Sequence, residues 1–198
     1  MDNTFTLCYQ IGDALYLNIT NRCSNRCAFC IRDTDNGVGY HLWLDKDPTA
    51  AEILNTIDNP AQYREIVFCG YGEPLSRLDV VKEVAAVLKE RGARSIRVNT
   101  NGQANQYYGR NVVSDLVGLV DVISISLNAQ NAVSYMELCH PQGGEEAYYA
   151  MLDFARKCVG VIPKVILSVV EWPGVDVEAC RSIAKNLGAE FRLRKYTG

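Results

Sequence analysis

The chain has no apolar run approaching the roughly 20 residues needed to cross a membrane as a helix. It opens on Met1-Asp2-Asn3 without the basic stretch and apolar core of an export signal, so a cytoplasmic location is expected. Basic residues are in no excess. Against 23 Asp and Glu stand 20 Lys and Arg, a net charge of −3, which excludes the broadly basic surface of a general nucleic-acid binder. Histidine is scarce, and neither His41 nor His140 has a partner at metal-ligand spacing. Low-complexity tracts and linkers are missing as well, so 1–198 reads as a single domain long enough for one good core.

Cysteine is what the chain has in quantity, 8 residues that without an export signal read as reduced thiols rather than disulfides. Three of them, Cys23, Cys27 and Cys30, follow the pattern C-x3-C-x2-C directly after a strand-like run. A trans backbone reaches about 3.3–3.6 Å per residue, so these thiolates stay local and can wrap one small inorganic cluster. A four-iron cube ligated wholly by cysteine needs four thiolates. Three leave one iron open to an outside ligand, the mark of a chemical rather than a structural centre. The competing reading is a zinc or redox thiol site completed by a distant ligand such as Cys8, Cys69 or His41. Cys8, Cys69, Cys139, Cys158 and Cys180 show no second clip spacing and read as small buried hydrophobes. Cys69 is the uneasy one, because it falls at the same rim as the clip.

Residues 5–9 and 14–20, around Gln10-Ile11-Gly12-Asp13, predict a hairpin. Residues 31–47 predict an irregular loop, with Asp47 capping a helix that has Pro48 in its first position. Further strands are predicted over 65–69, 95–99, 121–127, 164–170 and 190–193. Helices are predicted within 78–91, 112–120, 132–138, 145–158 and 177–187. Strand and helix in alternation mean a parallel sheet with helices outside. About six units are fewer than a closed barrel's eight, so the expected α/β fold is a partial, open (β/α)6 barrel of the TIM type, preceded by the hairpin.

In such folds the working residues gather at the C-terminal ends of the strands. There the chain places the three cysteines, then Gly70-Tyr71-Gly72-Glu73-Pro74, Asn99-Thr100-Asn101-Gly102, Ser126-Leu127-Asn128, Val170 before Glu171-Trp172-Pro173, and Arg194-Lys195-Tyr196. Glycines let a backbone approach a ligand, and asparagine amides offer both donors and acceptors. The plainer reading of each is a turn, a cap or a buried strand end. Arg192, Arg194 and Lys195 read as a solvated strand end in preference to an anion-recognition patch.

The cysteine spacing, with Phe29 just before the third cysteine, resembles the signature of the radical S-adenosylmethionine (SAM) superfamily. Gly70 to Pro74 resembles that family's Gly-Gly-Glu-Pro motif with Tyr71 inserted, and Thr100-Asn101-Gly102 resembles its Thr-Asn-Gly stretch. The resemblance implies a partial barrel and a [4Fe–4S] cluster on Cys23, Cys27 and Cys30. It implies that SAM chelates the open iron and is split to a 5'-deoxyadenosyl radical that abstracts hydrogen from a substrate. It assigns the main chain of Phe29 and the wall at Val170 to adenine. The Gly70–Gly72 loop, fixed by Glu73, would hold the methionine amino group. Asn99 and Asn101 would meet ribose or carboxylate, and Ser126 and Asn128 would face SAM. An electron donor such as flavodoxin or ferredoxin is implied. The longer strings Cys30-Ile31-Arg32-Asp33 and Phe68-Cys69-Gly70 resemble the small radical SAM proteins associated with TatD-type nucleases, whose substrate is not agreed. The other types weighed are 7-carboxy-7-deazaguanine synthase-like enzymes and glycyl-radical activases. A non-catalytic iron–sulfur or zinc-stabilised binding protein is the alternative of another class. The open barrel leaves room for a large substrate.

Overall fold

The computed structural model describes residues 6–34 and 37–196. β1 (Cys8–Ile11) and β2 (Ala14–Leu17) form an antiparallel hairpin with Ile11 opposite Ala14. It turns at Gly12, whose φ of +61° suits a residue without a Cβ. β3 (Glu65–Phe68), β4 (Ile96–Thr100), β5 (Val122–Ser126), β6 (Lys164–Val170) and β7 (Glu190–Arg194) then add in chain order, each parallel to the last. Among the described residues no pairing joins β7 back to the hairpin. The six parallel strands from β2 to β7 are the expected open arrangement.

Side chains alternate across a strand, and here the two faces differ in kind. The outer face carries Leu15, Leu17, Ile66, Phe68, Ile96, Val98, Ile123, Ile125, Val165 and Leu167, all buried in one core. Covering it are α2 (Leu78–Glu90), which buries Val81, Val84 and Leu88, and α5 (Glu146–Cys158), which buries Met151 and Phe154. α6 (Val177–Leu187) buries Cys180 and Ala184. Each large aliphatic or aromatic side chain taken from water contributes about 1.5–3 kcal/mol, so the helix layer is what holds the sheet. The inner face carries Tyr16, Cys69, Arg97, Asn99, Ser124, Ser126, Ser168, Arg192 and Arg194 in the same phase. Closed barrels fill this volume with branched apolar side chains; here polar residues predominate, with Val67, Val122, Ile166 and Val170 interspersed.

Three local expectations are corrected. The first strand runs from Cys8 to Ile11, later than 5–9, and Phe5 lies outside the described residues. α1 (Ala50–Leu54) is capped by Thr49, not Asp47. Thr49 and Glu52 form a reciprocal capping box, and Asp47 instead pairs with Arg22 at 2.6 Å. The helix expected within 112–120 is only a 3-10 turn over Val113–Asp115, since Gly118 takes a φ of +79° and ends it. The periodicity there is real, because Val112, Val113, Leu116 and Val120 are all buried, but tight turns deliver them. α3 (Ala104–Tyr108) was not expected, as its Ala-Asn-Gln-Tyr-Tyr has no apolar stripe. α4 (Ala132–Cys139) completes the set. Among the described residues no helix is long and apolar enough to cross a membrane.

Candidate functional site

The cysteine loop leaves β2 and is hung on the end of α4. The last carbonyls of a helix lack internal partners. Here the Arg26 N–H donates to the Cys139 carbonyl at 2.9 Å and the Ala28 N–H to the Leu138 carbonyl at 2.8 Å. A buried amide network locks the loop from below. Asn25 Nδ2 and Gln103 Nε2 both donate to Tyr135 Oη at 3.0 Å, and Gln103 Nε2 also donates to Asn25 Oδ1 at 2.7 Å. Ser24 Oγ donates to Gln103 Oε1 and accepts from Asn101 Nδ2. Of this network only Asn101 was expected at the site; Gln103 follows the Thr-Asn-Gly stretch but sits far in the chain from the cysteine loop it locks, as does Tyr135, and neither carries a motif of its own.

Glu73 ties three rim segments together. Its N–H donates to the Arg22 carbonyl at 2.7 Å. Its carboxylate accepts from Leu75 N at 3.0 Å, Thr100 Oγ1 at 2.7 Å and Asn101 N at 2.6 Å. Burial raises its pKa, and these three donors oppose the rise. The adjacent glycines are required by packing. A Cβ on Gly70 would collide with Asn18 Oδ1, and one on Gly72 with the Thr20 and Arg22 carbonyls. The inserted Tyr71 is buried with Tyr9 and Leu42 and meets Trp43 edge-on at 5.1 Å.

These pieces enclose a cavity of about 410 Å³. Cys23, Cys27 and Cys30 line it together with Phe29, Gly70, Gly72, Glu73, Asn99, Asn101, Ser126, Asn128 and Val170. Every residue singled out for the site therefore meets at one place. Ser124 and Ser168 also line it and were not foreseen, although strand alternation puts them in phase with Ser126 and Val170. Asn99 Oδ1 and Asn128 Oδ1 are buried without a hydrogen-bond partner, and Asn128 holds a φ of +56°. An orphaned buried acceptor costs about 1–3 kcal/mol, a cost that a donor-bearing ligand removes. Burial pushes the Cys23 thiol up to about 12, with Glu73 adding to the rise, and burial likewise raises Cys30. Contact with the Cys139 thiol, then burial, raises Cys27. Among the described residues no three His, Cys, Asp or Glu side chains converge tightly enough for a single metal ion. A polynuclear cluster spreads its ligands more widely than a lone zinc does.

Two expectations about neighbours change here. Cys69 is not simply buried: its thiol lines the cavity beside Asn99. Arg192, Arg194 and Lys195 line it too: the strand end is exposed to solvent as expected, but its charges face the cavity. Trp172 packs between two lining residues, 5.5 Å from Phe29 on the cysteine loop and 4.9 Å from Tyr196 beyond β7.

Residues 17–186 match the model of the family described as the Radical SAM superfamily. The chain belongs to this superfamily. It is 28% identical to Molybdenum cofactor biosynthesis protein 1 of Dictyostelium discoideum, over 92% of this chain and 28% of that protein. It is 27% identical to the GTP 3',8-cyclase of Staphylococcus carnosus, over 82% of this chain and 46% of that one. The chain thus spans less than half the length of these curated relatives. A radical SAM methyltransferase from Sphaerobacter thermophilus shares the fold, with a TM-score of 0.61 and 17% identity over 96% of this chain and 69% of that one. Radical SAM enzymes carry a [4Fe–4S] cluster and SAM, and the residues of this site fit both. Three cysteines supply soft ligands for iron, while the cavity beside them holds unpaired acceptors for a ligand with amino and hydroxyl donors.

Proposed function

We propose that this chain binds a [4Fe–4S] cluster through Cys23, Cys27 and Cys30 and uses it to cleave SAM reductively and take a hydrogen atom from a substrate. The observation that carries this reading is the shared cavity, where three half-buried thiols face two buried amide oxygens that have no partner. When bound, cluster and SAM supply a 5'-deoxyadenosyl radical. The chain's own residues do the rest. The main chain at Gly70 and Gly72 would hold the methionine amino group, and Glu73 keeps that loop against the cysteine loop and Asn101. Asn99, Asn101, Ser126 and Asn128 offer polar contacts to the ribose and carboxylate, with Phe29 and Val170 flanking the adenine.

A GTP cyclase and a methyltransferase among its relatives differ in chemistry, so their names do not choose a substrate. The strings around Cys30 and Cys69 support a place with the small TatD-associated proteins, ahead of 7-carboxy-7-deazaguanine synthase-like enzymes and glycyl-radical activases. The reading carries a cytoplasmic setting and a reductant such as flavodoxin or ferredoxin. Anaerobic reconstitution with iron and sulfide, then dithionite and SAM, tests it. Release of 5'-deoxyadenosine and methionine is expected, and Cys27→Ala loses both cluster and release. An untouched SAM pool refutes the reading.

One observation favours a second reading, a non-catalytic iron–sulfur protein: Cys69 lines the same cavity. Iron content decides between them. Cys69→Ala keeps its four irons if SAM occupies the open position, and loses iron if Cys69 is the fourth ligand.

A further inference from the structure

Across the cavity from the cysteine loop, the wall is cationic. Arg192 and Arg194 stand two apart on β7 and so share its inner face, Lys195 follows, and all three line the cavity. The outward positions are apolar, with Arg181 lying over the Phe191 ring at 4.5 Å. Alternation along β7 thus turns the charges inward.

Among the described residues no carboxylate pairs with these three cations. The inner-face carboxylates are engaged elsewhere: Glu65 with Arg97 at 3.2 Å, Glu190 with Lys164 at 2.8 Å, and Glu73 with its three donors. Arg192, Arg194 and Lys195 are exposed to solvent, so an incoming anion reaches all three from the open edge of the sheet. Paired guanidinium forks with an ammonium suit an oxyanion with several acceptor oxygens, and phosphate fits them best. Ser124, Ser126 and Ser168 continue the polar wall between these cations and the thiols.

We propose that the substrate is a phosphate ester whose phosphate is gripped by Arg192, Arg194 and Lys195, opposite the cysteine loop. This deepens the radical-enzyme reading and rests on it for the word substrate; the anion site itself needs no radical chemistry. Calorimetric titration of the full chain with inorganic pyrophosphate tests it. Submillimolar binding is expected that weakens steeply with added salt. Arg192→Gln and Arg194→Gln should each weaken it about tenfold or more, while Lys185→Gln on α6 changes nothing. Circular dichroism melts confirm that the variants are folded, and Lys195→Gln gives a third variant outside the strand. Absence of binding, or arginine variants that bind like the parent, overturns the proposal. So does one-for-one displacement of pyrophosphate by SAM on the cluster-loaded chain, which assigns the arginines to the cofactor carboxylate. Release of 5'-deoxyadenosine by the parent chain is read separately. Binding without release refutes the radical reading alone, and release without binding refutes the phosphate site alone.

Discussion

Glu73 shows how much one side chain carries in this site. Its two oxygens accept from two main-chain amides and a hydroxyl on different segments. Glu73→Gln has one acceptor oxygen and turns an NH2 toward a backbone N–H. Leaving that donor unmet should cost about 1–3 kcal/mol, read as a lower urea midpoint at unchanged slope. Gly72→Ala meets backbone carbonyls that cannot step aside. A loss of about 1–3 kcal/mol from overpacking is expected, with weakened cluster retention on anaerobic gel filtration. Tyr135→Phe removes the one acceptor shared by Asn25 and Gln103. Its expected signature is faster iron loss to a chelator with the fold intact. At this scale the sequence was only half legible. The cysteines, glycines and Glu73 declare themselves because they are close in the chain and unusual together. Gln103 and Tyr135 are ordinary residues that matter through contacts 78 to 110 positions away, which no local pattern encodes.

Among the elements, α1 offers the cleanest test. The Thr49 amide, then Lys46 and the Thr49 hydroxyl, hold the Glu52 carboxyl down to about 2 from an ordinary 4.5. A carboxyl lowered on folding stabilises above its unfolded value and loses that contribution as pH falls through the folded one. The parent should therefore lose its stability advantage over Glu52→Gln between about pH 4.5 and 2, followed by urea midpoints across that window. A constant difference down to pH 2 contradicts the assignment. Elements with long runs of one period were legible: β6 is seven residues of near-continuous apolar strand, and α5 shows a clear buried stripe. α3 was hidden because five mostly polar residues have no period to read, and the turn at Val113–Asp115 mimicked a helix by burying its apolar residues at helical spacing.

Over the whole molecule, function follows from a sheet with two unlike faces. Helices cover the apolar side, and the polar inner side stays open because the strands stop short of a closed barrel. The alternation of strand and helix made this architecture legible, whereas the cationic wall was not, since only the register of β7 shows that the exposed Arg192 and Arg194 share its inner face. The cysteine loop and that wall bracket one cavity. The proposed chemistry requires that one iron is left for SAM. Electron–nuclear double resonance on the reduced, reconstituted protein with SAM labelled by 15N in its amino group tests this directly. Hyperfine coupling between the label and the cluster is expected. No coupling, in a sample whose four irons are all held by protein thiolates, would contradict it.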